Sequence, residues 1–207
     1  MEKLCYSISY LNRSFSEFIG LLNKCGINCV IDVRQGNDKQ HRADAEFNIE
    51  NIKKNLNNLQ IYYINMGNEF HLKQGEIDFK DMIESSEYKT GIQRVISGID
   101  KGFKIALIYG EDILENSKIS IILGYGLKKK HVTLEHIIDL ENHKTQEDIE
   151  DRLLETYKIK LVKKVAELSI KNIMKNIDLD MSEADFKTEM IEEAYKMKYS
   201  DIKKNLS

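Results

Sequence analysis

The sequence predicts an α/β protein, a mostly parallel open sheet with helices on both faces, followed by a helical C-terminal extension. Three observations lead there. Runs of β-favouring residues alternate with segments of helical period from Leu4 to Ile138. Few hairpin signals separate them, which argues for crossover connections and a sheet covered on both faces. From Thr145 onward only helical patterns remain. The expected division is therefore 1–144 for the α/β part and 145–207 for the helical part.

Leu4 to Tyr10 is a short β-favouring run, and Ser14 and Glu17 stand at capping-box spacing before Phe15, Phe18, Ile19, Leu21 and Leu22, an apolar face of helical period. Gly26 stops that helix, and Asn28 to Val33 reads as a mostly apolar strand ending in charge at Arg34. A polar loop from Gln35 to Glu46 leads to a helix over Ile49 to Leu59, then to a strand at Ile61 to Ile64. Further helix is expected over Phe79 to Ile83 and Tyr88 to Ile99, interrupted around Glu84-Ser85-Ser86. Gly102 precedes a strand from Phe103 to Tyr109, Ile119 to Leu127 reads as helix, and Val132 to Ile138 as the last short strand. The extension divides into Gln146 to Tyr157, Ile159 to Asn176, and Glu183 to Lys198 with a cap at Ser182. This is the pattern of a three-layer sheet of the flavodoxin-like or Rossmann-like kind.

The 207 residues suffice for one core with an appendage. A hydrophobic fraction of 42% with 31% charged residues excludes a disordered chain. The 31 Lys and Arg against 34 Asp and Glu are evenly spread, since residues 146–207 carry 12 basic and 14 acidic residues. No polybasic tail calls for duplex nucleic acid or an anionic membrane, which leaves room only for a local basic groove. The opening Met1-Glu2-Lys3-Leu4-Cys5-Tyr6-Ser7 has no leader pattern, and no run approaches a membrane span. Cys5, Cys25 and Cys29 cannot all pair, so a reducing cytoplasm is expected.

In an open parallel sheet, ligands sit beyond the carboxyl ends of the strands. That rule gathers Asn12 and Arg13 after the first strand, Asp32 and Arg34 on the second, Gly67, Asn68 and Glu69 after the third, and Gly110, Glu111 and Asp112 after the fourth. Arg13 and Arg34 have the planar fork for a phosphate or carboxylate, whereas Asp32 and Glu111 suit acid–base work or a divalent ion. The competing reading of Asp32 and Arg34, two apart and on one face of a strand, is an ion pair that only anchors loops. The cysteines lack a second pair for zinc and read as buried core thiols. Of His41, His71, His131, His136 and His143, most are expected at the surface, with His71 nearest the cleft. Serine-nucleophile and phosphate-loop signatures are absent.

Ser7-Ile8-Ser9-Tyr10-Leu11-Asn12-Arg13-Ser14, Phe18-Ile19-Gly20-Leu21-Leu22 and Ile31-Asp32-Val33-Arg34 resemble the opening of the family called domain of unknown function 488. Phe47-Asn48, Ile61-Tyr62-Tyr63 and Met66-Gly67-Asn68 follow in the family's order, and Thr145 to Leu154 and Glu193-Ala194-Tyr195 resemble tail segments of its longer members. The family's usual signature after the fourth strand is a Cys, about seven residues, then Cys-His-Arg, with Glu two places after the first Cys. Here Tyr109, Glu111, Ser117, Lys118 and Ile119 stand at those positions, so only the Glu survives. The resemblance thus implies a divergent member that has lost its thiol site. Lys118 keeps a charge able to hold an anion, and Ser117 is a poor nucleophile without a base.

Three functions compete on these residues. The first is a ligand-binding protein that holds a small anionic or nucleotide-like ligand through Asn12, Arg13, Asp32, Arg34, Asn68, Glu69, Glu111, Ser117 and Lys118. The second is an enzyme on a nucleotide, sugar or nucleic-acid substrate, using Asp32, Arg34 and Glu111. The third is an interaction or structural protein working through its helical tail. No cofactor, no metal and no membrane partner is expected, and the chain is expected to be a monomer or homodimer.

Overall fold

A computed structural model describes residues 3–34, 45–70, 77–174 and 182–206. The chain divides into two compact units, Met1–Gln146 and Glu147–Ser207. The division falls after Gln146 because Thr145 pairs with Glu135 in the sheet and the Gln146 side chain is buried among sheet-unit residues.

In the first unit the order is β1 (Lys3–Ser9), α1 (Phe15–Lys24), β2 (Cys29–Asp32), α2 (Ile49–Asn58), β3 (Tyr62–Asn65), α3 (Phe79–Glu84), α4 (Ser86–Asp100), β4 (Ile105–Tyr109), α5 (Gly124–Lys129), β5 (Val132–Ile137) and β6 (His143–Thr145). The strands form one six-stranded sheet in the order β3-β2-β4-β1-β5-β6. All pairs are parallel except β5 with β6. The expected α/β class, sheet type and helical extension are therefore observed.

Connection direction decides which face each helix covers. From β1 to β2 and from β2 to β3 the chain moves one way across the sheet, and from β3 to β4 and from β4 to β5 it moves back. Right-handed crossovers then place α1 and α2 on one face and α3, α4 and α5 on the other. The core agrees: Phe18, Leu22, Ile52 and Leu56 pack with Ile8, Val30, Ala106 and Ile108, which share one face by register. β4, central in the sheet, is buried at every position of Ile-Ala-Leu-Ile-Tyr. Because β1 and β4 are neighbours whose outgoing connections diverge, the crevice of this topology opens between their carboxyl ends.

Local signals account for the helix ends. Ser14 caps α1 in a complete capping box with Glu17, and Gly26 follows the helix at φ 65°. Asn48 caps α2, and Ser85 ends α3 and caps α4, which places the break where the sequence interrupts the pattern.

Three expectations are corrected. The run Ile119 to Leu127 is not one regular helix: Ile119–Leu123 is π-helical and α5 begins only at Gly124. A hairpin adds β6, its turn held by Asp139 Oδ1, which accepts the backbone N–H groups of Glu141 and Asn142. In the second unit α6 (Gln146–Met174) runs without the expected break after Tyr157, and α7 is Glu183–Leu206. Tyr157-Lys158-Ile159 contains neither Gly nor Pro, so nothing local interrupts it. Within this unit Tyr195 donates to Glu150 Oε1 at 3.2 Å and Tyr157 to Asp201 Oδ2 at 2.7 Å, tying α6 to α7. No described helix is long and apolar enough to cross a membrane.

The irregular helix is held by side chains from elsewhere in the sheet unit. His136 is fully buried rather than at the surface; its Nδ1 lies 2.7 Å from Ser7 Oγ and its Nε2 3.0 Å from Gln146 Oε1. Gln146 Nε2 donates to the Ser120 carbonyl at 2.7 Å, and that carbonyl can only accept. The amide orientation is thereby set, so in the neutral ring Nε2 carries the proton and Ser7 donates to Nδ1. Tyr88 donates to the Ile122 carbonyl at 2.8 Å. Both acceptors lie in the π-helical stretch, and Gly124 and Gly126 make room: a Cβ at the first would collide with the Gln146 amide and at the second with the Tyr88 hydroxyl.

Gly126→Ala is expected to lower stability by about 2–3 kcal/mol in urea denaturation, combining overpacking with a displaced hydrogen bond. Gly20→Ala, where a Cβ meets open space within α1, should instead stabilise by about 0.5–1 kcal/mol. Hydrogen bonds from the Ser14 backbone and hydroxyl hold the Glu17 carboxyl below its ordinary pKa. A depressed carboxyl contributes stability above its unfolded pKa and loses it as pH falls through the folded value. Glu17→Gln should accordingly lower the melting temperature at neutral pH by a margin that closes in acid, measured by calorimetry across pH.

Candidate functional site

The carboxyl edge carries the predicted residues, but it uses them unequally. Asp32 ends β2 with its side chain on the α1–α2 face, and Arg34 follows on the same side. Arg34 Nε donates to Asp32 Oδ1 at 2.8 Å and Nη2 to Oδ2 at 2.6 Å, a bidentate pair whose side chains are 2% and 0% exposed. Arg34 Nη1 donates to the Phe47 carbonyl at 2.8 Å, and the guanidinium lies 4.7 Å from the centroid of the Tyr10 ring. Tyr63 from β3 donates to Asp32 Oδ2 at 2.6 Å, and the Arg34 backbone N–H to Oδ1 at 3.0 Å. Burial works against the Arg34 charge, yet hydrogen bonding and attraction from Asp32 outweigh it and hold the guanidinium above its ordinary pKa. Burial and the Asp32 charge together push the Tyr63 hydroxyl up. The cluster joins β2, β3, the end of β1 and the start of α2.

Gly67 belongs to the same construction. A Cβ there would strike the Arg34 backbone carbonyl, so glycine lets the two chain segments cross. Asn68 is exposed beside it, and Glu69 forms an ion pair with Arg94 of α4.

The crevice between β1 and β4 is built differently. Tyr10 N–H bonds the Tyr109 carbonyl at 3.1 Å, carrying the pairing one residue past β1. Ser9 Oγ donates to the Glu111 carbonyl at 3.2 Å and accepts the Leu11 N–H at 3.2 Å, turning the loop over β4. Asn12 sits at φ 58°, a left-handed conformation its short amide tolerates, and its Nδ2 donates to Asp112 Oδ1 at 2.9 Å. Arg13 then reaches across to β5, its Nη2 donating to the Ile138 carbonyl at 3.1 Å. Its Nε is buried without a partner, the one such side-chain atom among the described residues. Burial lowers the Arg13 pKa, opposed by Tyr109, Glu17 and Asp139.

The carboxylates around Arg13 are bound elsewhere. Glu17 serves the capping box and Asp139 the hairpin turn. Glu111 accepts the Lys118 and Gly110 N–H groups at 3.2 Å each, so its carboxylate occupies the start of the irregular helix where an external anion would otherwise sit. Ser117 is fully buried: its Oγ receives the Ser120 N–H at 3.1 Å and lies 3.2 Å from Ser120 Oγ. Lys118 is half-buried.

Cys5 and Cys29 are buried as expected, with burial pushing the Cys29 thiol up to about 11, whereas Cys25 is only half-buried at the end of α1. No group of three His, Cys, Asp or Glu able to hold a metal occurs among the described residues. His41, His71 and most of the loop Gln35 to Glu46 lie outside those residues. Sequence reasoning missed the His136–Gln146–Ser120 chain. Its legible signal was Gly124-Tyr125-Gly126, two glycines inside an apolar run, which marks a close approach by another segment.

Arg34→Met leaves Asp32 buried without its partner and should cost about 3–5 kcal/mol in urea denaturation. Adding Asp32→Leu should recover part of that loss, because the uncompensated charge is then removed as well.

The chain matches no family model, no curated protein and no solved structure.

Proposed function

We propose that the chain binds a small anionic or nucleotide-like ligand at the carboxyl ends of β1, β4 and β5, with Arg13 as the clamp. The observation that carries this reading is the buried Arg13 Nε without an acceptor, placed at the crevice of the sheet. An unsatisfied buried N–H costs free energy, and a ligand phosphate or carboxylate supplies the missing acceptor. The nearby carboxylates are held by their own loops and do not pair with Arg13. Asp112 uses one oxygen on Asn12, and in this reading a ligand hydroxyl or amine is assigned to its other oxygen. Anion clamping by Arg34 is the weaker reading, because its donors serve Asp32 and Phe47 inside the fold.

Catalysis through Asp32, Arg34 and Glu111 draws less support. Asp32 is saturated by Arg34 and Tyr63, and each Glu111 oxygen already accepts a backbone N–H group. The same reasoning favours a divergent relative of domain of unknown function 488 that has lost its thiol chemistry. In place of the family's Cys and Cys-His-Arg stand Tyr109, Ser117 and Ile119, all buried, with Lys118. The three free cysteines suit a reducing cytoplasm.

Calorimetric titration with AMP, ADP and ribose 5-phosphate tests the reading. At least one should saturate, and Arg13→Gln should weaken it by about 1–3 kcal/mol, the scale of a charge-assisted hydrogen bond. The urea midpoint of that variant should hold or rise, since a buried unsatisfied donor leaves with the guanidinium. Absence of saturable binding, or binding indifferent to Arg13→Gln, would overturn the assignment.

A further inference from the structure

On the opposite face of the sheet, α4 and the β2–β3 edge enclose a groove of about 540 Å³. Its floor is apolar: Cys29 and Ile31 of β2, Ile64 of β3 and Ile105 of β4. The two-residue alternation of the strands puts these four on one face, with Cys29 beside Tyr62 and Ile31 beside Ile64 in register. The sheet ends at β3, and its Tyr62 and Ile64 are 61% and 37% exposed. Burial keeps the Cys29 sulfur protonated near neutral pH, so it brings no charge to the floor.

The α4 wall is asymmetric. Because α4 connects two parallel strands it runs against them, which puts its N-terminal half at the carboxyl edge of the sheet. Lys89, Thr90, Gln93 and Arg94 line that half. The other half presents Ser97 and Gly98, facing Phe103, whose ring packs edge-on to Tyr62 at 5.3 Å. Along α4 the groove runs from Lys89 to Lys101, about 18 Å at 1.5 Å per residue. Among the described residues the Lys89 ammonium has no ion-pair or hydrogen-bond partner, and Arg94 spends one nitrogen on Glu69. One end of the groove therefore offers an unpaired ammonium beside the polar donors Thr90 and Gln93, and the other the Phe103 ring and Gly98 with Lys101 at its rim.

We propose that this groove binds a single-chain amphiphile with an anionic head, of the long-chain carboxylate type. The carboxylate sits at Lys89, Thr90 and Gln93, and the chain runs along Ile31, Ile64 and Ile105 toward Phe103. The volume lies within the range of small-molecule sites, roughly 300–1,000 Å³, which combine an apolar lining with a few placed polar groups. Lys101, at the apolar end, lays its aliphatic stem along the chain and keeps its ammonium in water. The site is separate from Arg13, so either assignment stands or falls without the other.

The test uses the full chain and 11-(dansylamino)undecanoate as a fluorescent probe, with its methyl ester as the neutral control and dodecyltrimethylammonium as the cationic competitor. Saturation at one probe per chain is expected, with the ester at least about tenfold weaker, a difference of some 1.4 kcal/mol. Lys89→Glu should weaken the carboxylate by a similar factor and improve competition by the cationic amphiphile. Ser97→Trp, which fills the middle of the groove, should remove binding while calorimetry shows the fold intact. Arg13→Gln should leave probe binding unchanged. Non-saturable uptake, or equal binding of acid and ester that ignores Lys89→Glu, would overturn the proposal. So would a dimer that Ile64→Lys converts to monomer in a protein that binds no probe, since the groove would then belong to a second copy.

Discussion

The buried pair of Asp32 and Arg34 is the contact on which the carboxyl edge depends. A carboxylate and a guanidinium withdrawn from water are tolerable only when nearly every donor and acceptor is matched, and here the matching partners come from four places in the chain. Tyr63 supplies a hydroxyl from β3, Phe47 a carbonyl ahead of α2, Tyr10 an aromatic face beyond β1, and Arg34 its own backbone N–H. Each partner is thereby placed by the ion pair as much as it stabilises it. The crossing of Arg34 over Gly67 then brings the chain after β3 into the same arrangement. Such a pair adds less net stability than its geometry suggests, because desolvation offsets attraction, but it admits one arrangement of the loops and penalises the rest.

A second polar construction does similar work on the other face. The π-helical stretch Ile119–Leu123 leaves the Ser120 and Ile122 carbonyls to be met by Gln146 and Tyr88. Two glycines in one helical segment cost roughly 1 kcal/mol each relative to alanine, and the space they leave is what admits those side chains. Through Gln146 the irregular helix is tied to His136 on β5, and through His136 to Ser7 on β1. The helix whose start is capped by Glu111 is thus anchored to β5 and, through it, to β1, one of the two strands that flank the crevice.

Elements whose causes are local were legible in the sequence. The capping box at Ser14 and Glu17, the Gly26 stop, the break at Ser85 and the apolar run of β4 all act within a few residues, and periodicity located them. Elements decided at long range were not. Ser7 and His136 are 129 positions apart, and nothing near His136 distinguishes a buried imidazole from a surface one. β6 is three residues long, and its pairing follows from the Asp139 turn rather than from any β-favouring run. The site was legible as an edge, because strand ends and topology follow from the alternation of elements. It was not legible as a set of roles, because those depend on what lies across the sheet.

The two arginines make the difference concrete. In sequence Arg13 and Arg34 look alike, each a guanidinium just past a strand that points toward the carboxyl edge. Arg34 lies two residues beyond Asp32, so strand alternation places both side chains on the α1–α2 face, where the start of α2 closes over them. Arg13 follows Asn12, whose left-handed backbone turns the chain away from that face and toward β5. One cation meets a carboxylate and is consumed by the fold. The other meets a single carbonyl, and the carboxylates near it are already held by N–H groups of their own loops. Which of the two guanidiniums keeps a donor unspent is therefore set by backbone direction over a few residues, and a count of basic side chains along the strand ends does not see it.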